Sequence, residues 1–289
     1  MTTSARGVLA AVAAAVLVLA AGCGGGEAPA GALPPPMAPS PVVETRPTEP
    51  TSLRDPGTKD LAMQLVSSAE NSTLDWRGQY GYLEDIGDGR GYTGGLIGFT
   101  SGTGDMLTLV RDYTVATPRN PLAPYIPALR AVDGSDSHEG LGEAFEDAWR
   151  QSATDPRFAS GFAAAQDRVR DRVYFEPAVA AAEADGLPPL GQFAYYDAMV
   201  VHGPGTDSAS FGGIRAAATQ RARTPARGGD LARYLEAFWT ARIAVMRSEP
   251  AHEDVSRITD LQQKFAREGN YALATPLTWS VYGDTYSIP

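Results

Sequence analysis

Residues 55–95 read DPGTKDLAMQLVSSAENSTLDWRGQYGYLEDIGDGRGYTGG, and the change of character half-way along them decides the fold. Leu61, Leu65, Val66 and Ala69 recur at the three- and four-residue spacing that turns one side of a helix to a core. Asp55 stands where an N-cap belongs and Pro56 where the first turn tolerates a missing N–H, so a helix is predicted over about 56–70, with Glu70 at its end. Then glycine takes over. Asp88 lies between Gly87 and Gly89 in a segment too glycine-rich to have been chosen for packing. Glycine is useful where backbone turns sharply or must come close to a ligand, and its entropic cost is otherwise wasted. The segment therefore reads as a small sheet region that brings a carboxylate within reach of something.

Beyond it the chain is mostly helical. Residues 140–152, 155–173, 177–186, 188–203, 212–223, 228–248 and 253–269 all show apolar residues at helical spacing, with Gly or Pro between the segments. Strand signal is confined to 92–105 and the tail 277–288, and no fixed-period repeat is present. The fold class is mainly α (α+β).

The N-terminus reads differently. Residues 1–22 carry one charge, Arg6, before the apolar run VLAAVAAAVLVLAA, which is short and small-residued for a membrane span and reads as a signal peptide. The run ends in LAAGCGGG. Cys23 is the sole cysteine, so no intrachain disulfide forms, and the sequence around it resembles the lipobox of bacterial lipoproteins, although Ala20 replaces the usual leucine. Nine of the 22 prolines lie between Pro29 and Pro56, which makes 23–55 an extended tether. Folded structure is expected from 56 to 289. The protein is expected outside the cell, secreted or held at the outer face of a membrane by a lipid on Cys23.

Several chemistries can be set aside. The net charge of −10 argues against a nucleic-acid partner, which requires a basic surface. GRGYTG, 89–94, matches a dinucleotide fingerprint in letters only, because another glycine-rich stretch follows it instead of a helix. There is no HExxH, CxxC or GxSxG, and only His138, His202 and His252 could serve as imidazole ligands. Asp85 and Asp88 lack the spacing of a calcium loop. A pair of carboxylates remains: Glu70 beside an apolar helical face and Asp88, 18 residues on, in an open polar loop with Thr93 close by. Unlike settings of this kind let two carboxyls divide the roles of acid and base. Solvated surface groups are the plainer reading of the same two residues.

The stretch 62–110, AMQLVSSAENSTLDWRGQYGYLEDIGDGRGYTGGLIGFTSGTGDMLTLV, resembles the signature region of the glycoside hydrolase family 46 chitosanases, of the bacterial, actinobacterial type. Further matching text stands at 171–205, at SFGGIRAAATQRARTPARGGD (210–230) and at the closing LTWSVYGDTY, so the likeness spans about 56–289. It implies two mostly helical lobes around a substrate cleft with a small sheet, related to the lysozyme-like hydrolases. It also implies internal, inverting hydrolysis of the β-1,4 bonds of chitosan by a monomer. No metal or organic cofactor is implied. Carried over by motif, Glu70 is the general acid, Asp88 the general base, and Thr93 holds the attacking water. Asp105 matches a position that meets a sugar amine. Asn71, Tyr82, Arg90, His202 and Glu249 are further candidate sugar contacts, while Asp197, Arg242 and Arg257 match a buried charge network behind the acid. Glu253 departs from the aspartate expected there.

An acidic protein suits a polycationic substrate. Two other readings share these features: a lysozyme-like enzyme cutting peptidoglycan, and a non-catalytic polysaccharide-binding lipoprotein, which would have no need to keep both carboxylates. Trp76, Trp149, Trp239 and Trp279 sit among Leu and Ala and are expected in the core, not in the cleft.

Overall fold

Helix α1, Pro56–Glu70, forms on the predicted spacing: Leu61, Leu65, Val66 and Ala69 are buried and Pro56 sits in the first turn. Asp55 holds the N-cap place without capping, since its carboxylate accepts from Ser52 N (3.4 Å) and from no helix N–H. The computed structural model describes residues 52–248 and 253–289. Cys23, the 1–22 leader, most of the tether and Glu249 lie outside the described residues. Ordered contacts start earlier than predicted: Leu53 is fully buried and its N–H donates to Gln192 Oε1 at 2.7 Å, so residues assigned to the tether are seated on the fold.

A 3-10 turn, Trp76–Gly81, leads from α1 into a three-stranded antiparallel sheet. Its strands are β1 (Leu83–Asp85), β2 (Tyr92–Gly94) and β3 (Phe99–Thr100), with Glu84 opposite Thr93 and Thr93 opposite Thr100. Strand β1 is too short and too exposed to show alternation, which is why the sequence did not reveal it.

Helices α2 (Asp105–Ala116) and α3 (Ile126–Val132) were also missed. Thr108, Val110, Thr114 and Val115 lower the helix propensity of α2 by at most about 0.7 kcal/mol each. Met106, Leu107, Leu109, Val110 and Tyr113 are buried along it, and burying each such side chain contributes roughly 1.5–3 kcal/mol. Packing wins. Together with α4 (Glu143–Thr154) and α5 (Ala159–Arg170), these helices and the sheet make one lobe.

The second lobe holds α6 (Glu176–Ala184), α7 (Pro189–His202), α8 (Phe211–Arg221), α9 (Leu231–Met246) and α10 (Gln263–Arg267), with a hairpin of β4 (Leu277–Val281) and β5 (Asp284–Ile288). Two segments predicted as plain helix contain π-helical turns. One, Asp171–Phe175, packs on α5, α6 and α7 and so joins the lobes; the other, Arg257–Gln262, precedes α10. All four tryptophans are buried, as their apolar neighbours predicted.

Candidate active site

Helix α1 delivers Glu70 to a cleft of about 200 Å³ between the lobes. Glu70, Asn71, Tyr82, Arg90, Thr93 and Arg257 supply its polar wall, and Val200 and Val201 of α7 its apolar floor. Ile86 and Tyr282, 51% and 43% exposed, stand on it as well. Two of the three large exposed hydrophobic residues among those described therefore line one cleft, the pattern expected of a surface that a ligand covers.

Glu70 is held from behind. Arg257 Nη2 donates to Glu70 Oε1 at 2.8 Å and to Asp197 Oδ1 at 2.6 Å. Asp197 Oδ2 accepts from Arg242 Nη1 (2.5 Å) and Gln262 Nε2 (2.8 Å), and Gln262 Oε1 in turn accepts from Trp239 Nε1 (2.9 Å). The network is dry: the side chains of Arg242, Asp197 and Arg257 are 0%, 2% and 4% exposed. Burial by itself would raise the Asp197 carboxyl, but the charges and hydrogen bonds of Arg242 and Arg257 outweigh it and bring it down to about 2. Arg257 is held well above the ordinary arginine value by Asp197 and Glu70 despite its burial, whereas burial leaves Arg242 below it. Arg257 opens the π-helical turn, and such turns often occur at functional sites.

Asp88 is held in another way. Gly87 and Gly89 take left-handed φ values of +71° and +80°, which only glycine adopts freely, and they bend the β1–β2 connection around the aspartate. Its carboxylate accepts from Arg90 N (3.0 Å), Nε (2.8 Å) and Nη2 (2.6 Å), and its side chain is 9% exposed. Arg90, not Asp88, is the group on the cleft wall. Thr93 is buried in β2, also on that wall, and among the described residues its hydroxyl has no hydrogen-bond partner.

The remaining predicted residues are placed as follows. Asn71 Nδ2 donates to Leu96 O (3.4 Å) and Tyr82 OH to Glu84 Oε2 (3.2 Å), both at the cleft. Asp105 opens α2 outside this cavity's lining and is half-buried; Oδ1 accepts from Thr100 N (2.8 Å), Thr103 Oγ1 (3.1 Å) and Met106 N (2.8 Å), and Oδ2 from Tyr174 OH (3.1 Å). Burial raises its carboxyl above the ordinary aspartate value against the pull of those bonds. His202 closes α7, where its Nε2 meets Arg242 Nε at 3.4 Å, so it belongs beside the charge network. Glu253 is exposed.

A cleft between two helical lobes, walled by a carboxylate fixed on a buried arginine and by a second carboxylate's loop, has the parts of a glycosidase. The family model described as glycosyl hydrolase family 46 matches residues 64–277. The chain belongs to glycosyl hydrolase family 46. A chitosanase of a Streptomyces species is 59% identical over 236 residues, 82% of this chain and 84% of that protein. A chitosanase of a Nocardioides species is 58% identical over 251 residues, 87% and 88% of the two chains. Among solved structures, a chitosanase co-crystallised with substrate superposes with a TM-score of 0.81 at 62% identity, covering 83% of this chain and all of that one. The Gynuella sunshinyii family 46 chitosanase in complex with chitotetraose gives 0.72 at 35%, covering 80% and 97%.

As a family 46 hydrolase the chain is an enzyme acting on glycosidic bonds. Sequence reasoning did not single out Gln262, Tyr174, Ile86 or Tyr282, and it gave Trp239 a core role only. A glutamine within LQQKF or a tyrosine within VYGD carries no local mark of function. Their roles arise from contacts across tens to hundreds of residues.

Proposed function

We propose that this hydrolase is a chitosanase that cuts β-1,4 bonds between glucosamine units internally, with inversion at the anomeric carbon. The observation that carries the reading is the cleft in which Glu70 is fixed on Arg257 while the unpartnered Thr93 hydroxyl and the Asp88 loop share the same wall. A water held by Thr93 attacks the anomeric carbon and gives its proton to Asp88. The glycosidic C–O bond breaks, and the leaving oxygen takes the proton of Glu70. Arg257 occupies Oε1, which leaves Oε2 to carry that proton.

Inverting carboxyls stand roughly 6.5–9.5 Å apart to admit the water. In this reading Asp88 reaches its working place by leaving Arg90, with Gly87 and Gly89 as hinges, and the loop closes over substrate as a lid. Arg90, Asn71, Tyr82, Asp105, His202 and Glu249 contact or orient the sugars. The net charge of −10 draws a polycation and gives no such attraction to acetylated polymers, whose acetamido groups are neutral. Relatives bearing the name chitosanase, one of them complexed with chitotetraose, support the same substrate. The leader and Cys23 suit a monomer exported to the cell exterior and anchored by lipid.

Reducing-end release from deacetylated chitosan, chitin and peptidoglycan tests this for wild type, Glu70→Gln and Asp88→Asn, with proton NMR of the first product's anomer. Chitosan alone should be cut, with the inverted anomer formed and both variants inactive. A folded wild type that cuts peptidoglycan, or nothing, refutes the substrate; a retained anomer refutes the roles of the two carboxylates.

A further inference from the structure

The segment 210–230 belongs to the family-like text, yet the cleft does not use it. Residues 221–233 carry four arginines and one aspartate in a chain of net charge −10. Between the end of α8 and the start of α9 lies a cavity of about 520 Å³, larger than the cleft, lined by Arg221, Arg223, Arg233, Gly229 and Asp230. It is an open depression, and Arg221, Arg223 and Arg233 are exposed along it.

Arg215, earlier on α8, is neutralised by Asp185, to which Nε and Nη2 donate at 2.7 and 2.8 Å. Arg221, Arg223 and Arg233 differ. Among the described residues no carboxylate lies within ion-pair distance of any of their guanidinium groups. Asp230 shares the cavity, but its Oδ1 accepts from Arg233 N at 2.8 Å and caps α9.

The loop that presents these arginines is built tightly. Thr224 O accepts from Arg227 N and Gly229 N, both at 2.9 Å, and Asp185 O accepts from Ala226 N at 3.0 Å. A Cβ at Gly229 would lie 1.9 Å from Arg223 O, so only glycine lets the chain fold back there. Three open guanidinium forks on such a frame repel a polycation and match a tetrahedral oxyanion, which guanidinium binds in two-point fashion. We propose that this cavity binds a phosphate group, carried either by soluble phosphate or by a lipid headgroup.

The test uses the full chain with Cys23→Ser, so that no acyl anchor contributes. Inorganic phosphate is titrated calorimetrically at constant ionic strength against chloride, and flotation compares phosphatidylglycerol with phosphatidylcholine vesicles. Phosphate should saturate where chloride does not, and the triple variant Arg221→Gln/Arg223→Gln/Arg233→Gln should bind about tenfold more weakly with an unchanged melting temperature. Flotation with phosphatidylglycerol alone, lost in the variant, assigns the headgroup; phosphate binding without flotation assigns the soluble ligand. No saturable binding in either arm, equal binding of chloride, or an undiminished triple variant overturns the proposal. If the triple variant melts early, Arg223→Gln alone must still weaken binding, and unchanged affinity there overturns it equally.

Discussion

Glu70 and Asp88 each rest on one arginine, but the two arginines are unlike. Arg257 comes from 187 residues away in sequence, is 4% exposed and is itself locked by Asp197. Arg90 is two residues from Asp88, is 42% exposed and lies on the same glycine-bounded loop. A carboxylate fixed on an arginine that is itself locked in a buried network has its partner in one set place. One held by a local, half-exposed arginine can move with its loop. A protein that needs one proton donor in a set place and one base able to close over its substrate would be built with this asymmetry.

The largest expected effect is on rate. Glu70→Gln and Asp88→Asn should each lower kcat by about 10²–10⁴-fold, the usual contribution of a positioned acid or base, with melting temperature unchanged for Asp88→Asn. A variant retaining near-full kcat removes its residue from the chemistry and ends the comparison.

Next comes stability. Asp197→Ala leaves Arg242 buried without a counter-charge and Arg257 with Glu70 alone, and should cost about 3–5 kcal/mol in denaturant unfolding. Arg90→Ala should cost less, about 1 kcal/mol, because its guanidinium is 42% exposed although Asp88 is only 9% exposed. Equal losses would show that the two ends are held alike.

Acid should find the same difference. The Asp197 carboxyl falls from 3.8 to about 2 on folding, so it contributes about 2 kcal/mol, present in full above pH 4 and lost as pH falls toward 2. In Asp197→Asn that part of the pH dependence should vanish from acid unfolding curves. An unchanged curve would place the acid-sensitive group elsewhere.

The smallest effect sharpens the hinge. Gly89 has a φ of +80°, and a methyl group placed there would meet no atom within 4 Å, so Gly89→Ala strains only the backbone, by about 1 kcal/mol. Its melting temperature should fall by a few degrees. If the loop must move, kcat should fall several-fold with KM little altered, whereas parallel loss of stability and rate with no such split would make the glycine merely structural.

Much of the fold could be read from the chain. The apolar face of α1, most later helices and the closing hairpin lie where their periodicities put them. Strand β1 and helix α2 did not show, since three exposed residues have no pattern and β-branched residues disguised a helix that burial enforces. Of the site, Glu70 at a helix end and Asp88 between glycines were visible locally. Asp197, Arg242 and Arg257 came only through family resemblance. Tyr174 came from neither, because it meets Asp105 across 69 residues.

Sequence alone determined which segments become helices, where glycine releases the backbone, the acidity that suits a cationic partner and the two carboxylates available for chemistry. Each depends on residues near one another in the chain or on a sum over all of them. Only the tertiary structure decided that Glu70 is clamped by a buried arginine and Asp88 by an exposed one, and that three arginines line a cavity with no carboxylate partner among the described residues. Charge pairing and desolvation act across space, and the distances that set them exist only once the lobes have packed.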